Sequence, residues 1–171
     1  NISAEVGISM KELLCKASRI VHATTQSSNA IFAYSGAKTA VLTTRGFGDT
    51  LIIMRATGRV AGLSVYQRHH YSATSKPRFV VDERDIFEVP ERVDSRGIVV
   101  AELNEDAVRD IARTLRVQEY EAVAISYLFS HLNPQHEKRT AEIILEEIPE
   151  IYISNSADVS PIMGEYERSA S

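Results

Sequence analysis

Two stretches of the sequence carry side chains suited to holding or moving charge. The first runs through Thr24, Thr25, Ser27, Ser28 and Asn29. It lies where a strand should give way to a helix, so its hydroxyls and backbone N–H groups could hold an anion or a carbonyl oxygen. Helix capping explains the same residues equally well. The second is "GEYERSAS", in which Glu165, Glu167 and Arg168 crowd acid and guanidinium into four positions. Arg168 could pair bidentately with an anionic group. The alternative is a buried ion-pair junction.

Other candidates carry less. "RGFGDTL" places Gly46 and Gly48 after a strand, but Leu51 stands where a dinucleotide fingerprint needs its third glycine, so a plain glycine turn is the better reading. His69 and His70 are adjacent, while His131 and His136 straddle a helix start; neither pair has the i, i+4 spacing of metal ligands on one helical face. Ser126 and Ser130 lack a nucleophile-elbow pattern. Cys15, the single cysteine, has no nucleophile signature and suits helix packing. Asp82, Glu83, Asp85, Glu91 and Asp94 alternate with Arg78, Arg84, Arg92 and Arg96, the pattern of a solvated hairpin surface.

The elements that must position these residues follow from periodicity. Ser9 and Glu12 have capping-box spacing before a short helix. "RIVHA" (19–23) is expected as a strand, a helix follows from Asn29 to Tyr34, and "KTAVLTT" (38–44) is the next strand. From 54 to 77 the periodicity dissolves into a long irregular connection. Residues 78–103 contain three short extended runs, expected as a β-hairpin side layer. Asn104 caps a helix whose Val108, Ile111, Ala112 and Leu115 form one apolar stripe. "EAVAISYLF" (121–129) is a strand covered on both faces. Asn133 then caps a helix with the stripe Ala141, Ile144, Leu145, Ile148, and "IYIS" (151–154) returns as a strand. This alternation specifies an α/β sheet with crossover helices.

The chain has 171 residues, 44% of them apolar and 25% charged, with a formal charge of −4. A single domain is expected. No run approaches the roughly 18 apolar residues of a membrane span, and no basic face offers a nucleic-acid surface. The lone cysteine excludes an internal disulfide and suits a reducing cytoplasm.

Five blocks in order resemble one family, the N-terminal domain of the hydantoinase A and 5-oxoprolinase proteins, which includes acetone and acetophenone carboxylase subunits. They are "HATTQSSNAI", "GAKTAVLTTRGFGD", "ERVDSRGIVV", "AISYLFSHLNPQHE" and "SADVSPIMGEYERSAS". His22, Thr24, Thr25, Asn29 and Ala30 match the family's first block, while Ala23 and Ser28 depart from it. The resemblance implies a ribonuclease-H-like α/β sheet of the actin and sugar-kinase kind. It implies ATP and Mg²⁺ as cofactors, bound mainly by a glycine-rich phosphate motif that this sequence does not contain. The implied activity is ATP-dependent opening of a cyclic amide, of the hydantoin or 5-oxoproline type, by phosphorylation of its carbonyl oxygen. The alternatives are a ketone carboxylase subunit or a non-catalytic assembly module of such a complex. The resemblance further implies an internal piece of a larger subunit, inactive alone, whose partners are its remaining domains, a second subunit or another copy, and a small-molecule substrate. Thr24, Thr25, Asn29, Glu165, Glu167 and Arg168 are the candidate substrate- or phosphate-binding residues.

Overall fold

The computed structural model describes residues 7–16, 24–56, 60, 62–70, 74 and 81–171. The chain divides into two compact units, 1–35 and 36–171. The expected strand at 19–23 lies outside the described residues.

The first unit holds two short helices, α1 (Met10–Lys16) and α2 (Gln26–Ala33). Ser9 caps α1 by accepting the Glu12 N–H at 3.2 Å. No residue of α1 is buried, and Cys15 is exposed rather than packed. Helix α2 ends on Tyr34 in the left-handed region.

The second unit is built on a sheet of four parallel strands in the order β2-β1-β5-β6: β1 (Thr39–Thr44), β2 (Ile86–Val89), β5 (Ala122–Ser126) and β6 (Tyr152–Asn155). A separate antiparallel pair joins β3 (Arg92–Val93) to β4 (Val99–Ala101). The expected hairpin layer is thus smaller than its sequence span suggests. The run "IFEV" joins the main sheet beside β1, because its apolar residues pack there, and Val89 is fully buried. Between β1 and β2 lie α3 (Thr50–Ile53), a 3₁₀ turn (Met54–Ala56) and α4 (Val65–His69), so the described part of the long connection carries local helix.

Helix α5 (Glu105–Val117) is capped by Asn104, whose side chain accepts from Ala107 N at 2.9 Å, and buries Val108, Ala112 and Leu115 as the stripe requires. Helix α6 (Gln135–Glu147) starts one residue later than expected, with Pro134 at the cap position. Its buried face is His136, Glu137, Thr140, Ile143 and Ile144, while Leu145 is left 42% exposed. The inward face therefore includes three polar residues that an apolar stripe cannot reveal. Both helices pack on the core formed by Leu42, Val89, Val123, Ile125, Tyr127 and Ile151. Two short helices, α7 (Ser156–Val159) and α8 (Glu165–Ser169), follow β6.

Candidate functional site

All four strands of the main sheet run parallel, so their carboxyl ends lie on one side. That side is where open α/β sheets bind ligands. Thr44 ends β1, Glu91 follows β2, Tyr127 and Leu128 follow β5, and Ser156 follows β6. Among the described residues this edge holds two buried polar clusters.

The first couples a carboxylate to an imidazole. Glu91 Oε2 lies 2.7 Å from His136 Nδ1, with the two side chains 0% and 6% exposed. Thr44 Oγ1 accepts the Leu128 N–H at 2.9 Å and donates its own proton to Glu91 Oε1. With both carboxylate oxygens accepting, the proton on His136 belongs to Nδ1, and Nε2 is the ring's acceptor. The alternating charges of the sequence place Glu91 on a solvated hairpin surface. It is buried instead, because Pro90 leads it off β2 and against the start of α6.

The second cluster ties α8 to the sheet. Glu137, fully buried, accepts from Tyr127 N at 3.0 Å, Ser156 Oγ at 2.6 Å and Ala157 N at 3.0 Å. Arg168, 3% exposed, donates from Nε to Ser156 Oγ at 3.1 Å, from Nη1 to Ile162 O at 3.2 Å and from Nη2 to Tyr127 O at 2.6 Å. Each of its three nitrogens thus donates to a protein acceptor, as a junction would require. Burial lowers the Arg168 pKa, opposed by Glu137 and Glu165.

Glu165 and Glu167 separate. Glu165 is half-buried with Oε1 lacking a hydrogen-bond partner, and burial raises its pKa against the pull of Arg168, Thr50 and Arg92. Glu167 turns outward to an ion pair with Arg55. His131 Nδ1 is likewise buried without a hydrogen-bond partner, and burial, then Arg168, lowers its pKa.

In the first unit, Thr24, Thr25 and Asn29 are exposed. Thr25 occupies the N-cap of α2 without a side-chain cap bond; its Oγ1 accepts from Asn29 Nδ2 at 3.4 Å. The glycine turn after β1 offers no phosphate cradle. Phe47 N donates to Thr44 O at 3.0 Å and Gly48 N to the Glu88 carboxylate at 3.0 Å, while Gly46 takes the positive φ of 87° that the turn requires. Among the described residues no group of three or more His, Cys, Asp or Glu could hold a metal ion.

Beside the first cluster opens a groove of about 580 Å³, within the size range of small-molecule sites. Glu102, Glu105, Asn133, His136, Lys138 and Arg139 are among its lining. Arg139 is anchored to Glu105 by bonds of 2.7 and 2.9 Å. Sequence reasoning misses Thr44, Glu91, His136, Glu137 and Ser156 as a set. The available signal is "NPQHE", an acid beside a histidine at a helix start, inside one of the family-like blocks.

Comparison with known proteins decides the family. The model of the hydantoinase/oxoprolinase N-terminal region matches residues 2–148. The chain belongs to this family. It is 37% identical over 169 residues to the acetophenone carboxylase gamma subunit of Aromatoleum aromaticum, covering 96% of this chain and 23% of that protein. It is 28% identical over 170 residues to the caprolactamase subunit alpha of Pseudomonas jessenii, covering 99% and 23%. The solved structure of nucleotide-free acetone carboxylase superposes with a TM-score of 0.88 at 31% identity, over 98% of this chain and 24% of that one. The ATP-dependent caprolactamase from Pseudomonas jessenii superposes with a TM-score of 0.82 at 28% identity, over 99% and 24%. The chain therefore spans under a quarter of the length of these family members. Among the described residues no helix is long and apolar enough to cross a membrane.

Proposed function

We propose that this chain is part of an ATP-dependent enzyme that activates a carbonyl oxygen by phosphoryl transfer and so opens a cyclic amide of the hydantoin or 5-oxoproline type. Resonance makes an unstrained amide a poor electrophile. Phosphate on its oxygen gives an imidate-like carbon with a good leaving group, which water can attack. One observation carries the reading: two solved structures that superpose over almost the whole chain are those of enzymes described as ATP-dependent, acting on carbonyl compounds.

A second reading, a ketone carboxylase subunit, is favoured by the higher identity to the acetophenone carboxylase subunit, 37% against 28% for the caprolactamase. Thr24, Thr25 and Asn29 are proposed to contact substrate or phosphate, which their exposure allows. The ribonuclease-H-like arrangement, a partner subunit and a cytoplasmic setting belong to the same proposal. ATP enters as a substrate. At the glycine turn Gly48 N is taken up by Glu88, and among the described residues no group of three or more His, Cys, Asp or Glu gathers for a metal ion.

The test is phosphate release by the full-length protein with ATP and Mg²⁺, supplying hydantoin, 5-oxoproline, caprolactam or a ketone. Release that depends on a ring amide supports the first reading. Release that needs a ketone and bicarbonate together supports the second, and release indifferent to every carbonyl compound removes both.

A further inference from the structure

Both readings share a chemical requirement that the functional proposal leaves without a residue. Capping the oxygen of an amide or ketone with phosphate requires loss of a proton from the neighbouring nitrogen or α-carbon. The electron pair of that N–H or C–H bond becomes the new C=N or C=C π bond, and the carbonyl π pair moves to oxygen. That oxygen bonds to phosphorus as the bridging P–O bond of ATP breaks, its pair leaving with ADP. The released proton needs an acceptor held beside the carbonyl compound.

We propose that His136 is this general base, with Glu91 and Thr44 as its positioning residues, and that the groove lined by His136 takes the carbonyl substrate. The inference rests on the functional reading above. Its own support is geometric. Glu91 holds Nδ1 at 2.7 Å, which leaves Nε2 as the one ring atom able to accept a proton. Glu91 cannot swing away, since Thr44 donates to its other oxygen and Leu128 N fixes Thr44 at 2.9 Å. The chain of contacts thus runs from the backbone after β5, through the end of β1, to the imidazole. His136 is 4% exposed, dry enough to favour directed proton transfer, yet it belongs to the lining of a groove of about 580 Å³ at the carboxyl edge of the sheet. A purely structural pair would fasten the same two elements without needing such a groove. The charged groups that face the imidazole or line the groove with it are Glu91 after β2, Glu102 after β4, Glu105 at the start of α5, and Lys138, Arg139 and Glu142 on α6 itself.

Two substitutions in the full-length protein separate chemistry from structure. His136→Asn keeps an N–H donor near the Nδ1 position, and with it the bond to Glu91, but removes Nε2. A general base contributes about 100- to 10,000-fold. The variant is therefore expected to melt with the wild type and to lose about 100-fold or more in kcat with KM little changed. A folded variant retaining more than about a tenth of wild-type kcat overturns the proposal. Glu91→Gln keeps the size of the side chain but removes the carboxylate that orients Nδ1–H, so kcat should fall while KM and melting stay near wild type. An unchanged kcat overturns the positioning role.

A third measurement needs neither folding of a variant nor turnover. Diethyl pyrocarbonate is small enough to enter the groove and adds to an imidazole nitrogen it can reach, so peptide mass spectrometry of the wild-type protein should find His136 modified, more slowly than exposed His69. A His136 that stays unmodified after prolonged treatment that labels His69 completely overturns the proposal. Failure of the functional reading is seen separately, as the absence of carbonyl-dependent phosphate release by the wild type.

Discussion

Arg168→Ala tests whether the second cluster at the carboxyl edge is a junction or a ligand site. The substitution removes three donated bonds, to Ser156 Oγ at 3.1 Å, Ile162 O at 3.2 Å and Tyr127 O at 2.6 Å. It also strips a neighbouring cation from Glu137, whose side chain is fully buried. Losing one partner of a buried charge pair costs about 3–5 kcal/mol, because the remaining charge and carbonyls stay desolvated. For a domain of this size each kcal/mol lowers the melting temperature by about 2–4 °C, so the expected fall is about 6–20 °C. Urea unfolding followed by circular dichroism gives the free energy directly. Arg168→Lys keeps a charge but cannot reach three divergent acceptors, so it should fall between. In the double variant Arg168→Met, Glu137→Gln, the loss should be smaller than the sum of the single losses, since neither charge is stranded. The reasoning fails if Arg168→Ala unfolds within about 1 kcal/mol of wild type, the scale of an ordinary surface change. Unchanged melting combined with lost turnover would make Arg168 a ligand contact.

Asn104→Ala should cost about 1 kcal/mol by removing the cap bond to Ala107 N at 2.9 Å, with Asn104→Ser restoring most of it in the same urea titration. Leu115→Ala, at a fully buried position under the sheet, should cost about 2–5 kcal/mol, and a loss below that range would place the core elsewhere. Glu165 sets a pH dependence. Its carboxyl is raised above the ordinary 4.5 chiefly by burial, so the folded state holds the proton more tightly than the unfolded chain does. The stability this group adds is fully present below the ordinary value and is lost as pH rises through the folded-state value. Glu165→Gln should therefore gain on the wild type as pH rises above the ordinary carboxylate value, in paired urea titrations; a constant difference would contradict the assignment.

Helix α5 shows what apolar periodicity can convey. Its stripe of Val108, Ala112 and Leu115 faces the core because burying those side chains outweighs every other preference along that helix. Helix α6 shows where it stops. An apolar stripe through Ala141, Ile144, Leu145 and Ile148 points the helix slightly wrongly. The buried face turns instead toward His136, Glu137 and Thr140, whose partners come from distant parts of the chain. His136 meets Glu91, 45 positions away, and Glu137 meets Ser156, 19 positions away. "IFEV" repeats the lesson in a strand, since a run that is short enough for a hairpin takes its place from the parallel register with β1.

The sequence by itself determined the α/β alternation, the helix caps at Ser9 and Asn104, the plain glycine turn and the ordered blocks that carry the family. Each is local chemistry or a pattern along the chain, legible without knowing what folds against what. The tertiary structure alone decided which polar residues are buried together. A carboxylate among alternating charges looks solvated until a histidine from another element arrives to pair with it. Burying a charge is costly unless it is paired and hydrogen-bonded, and those partners exist only after the strands have brought their carboxyl ends to one edge.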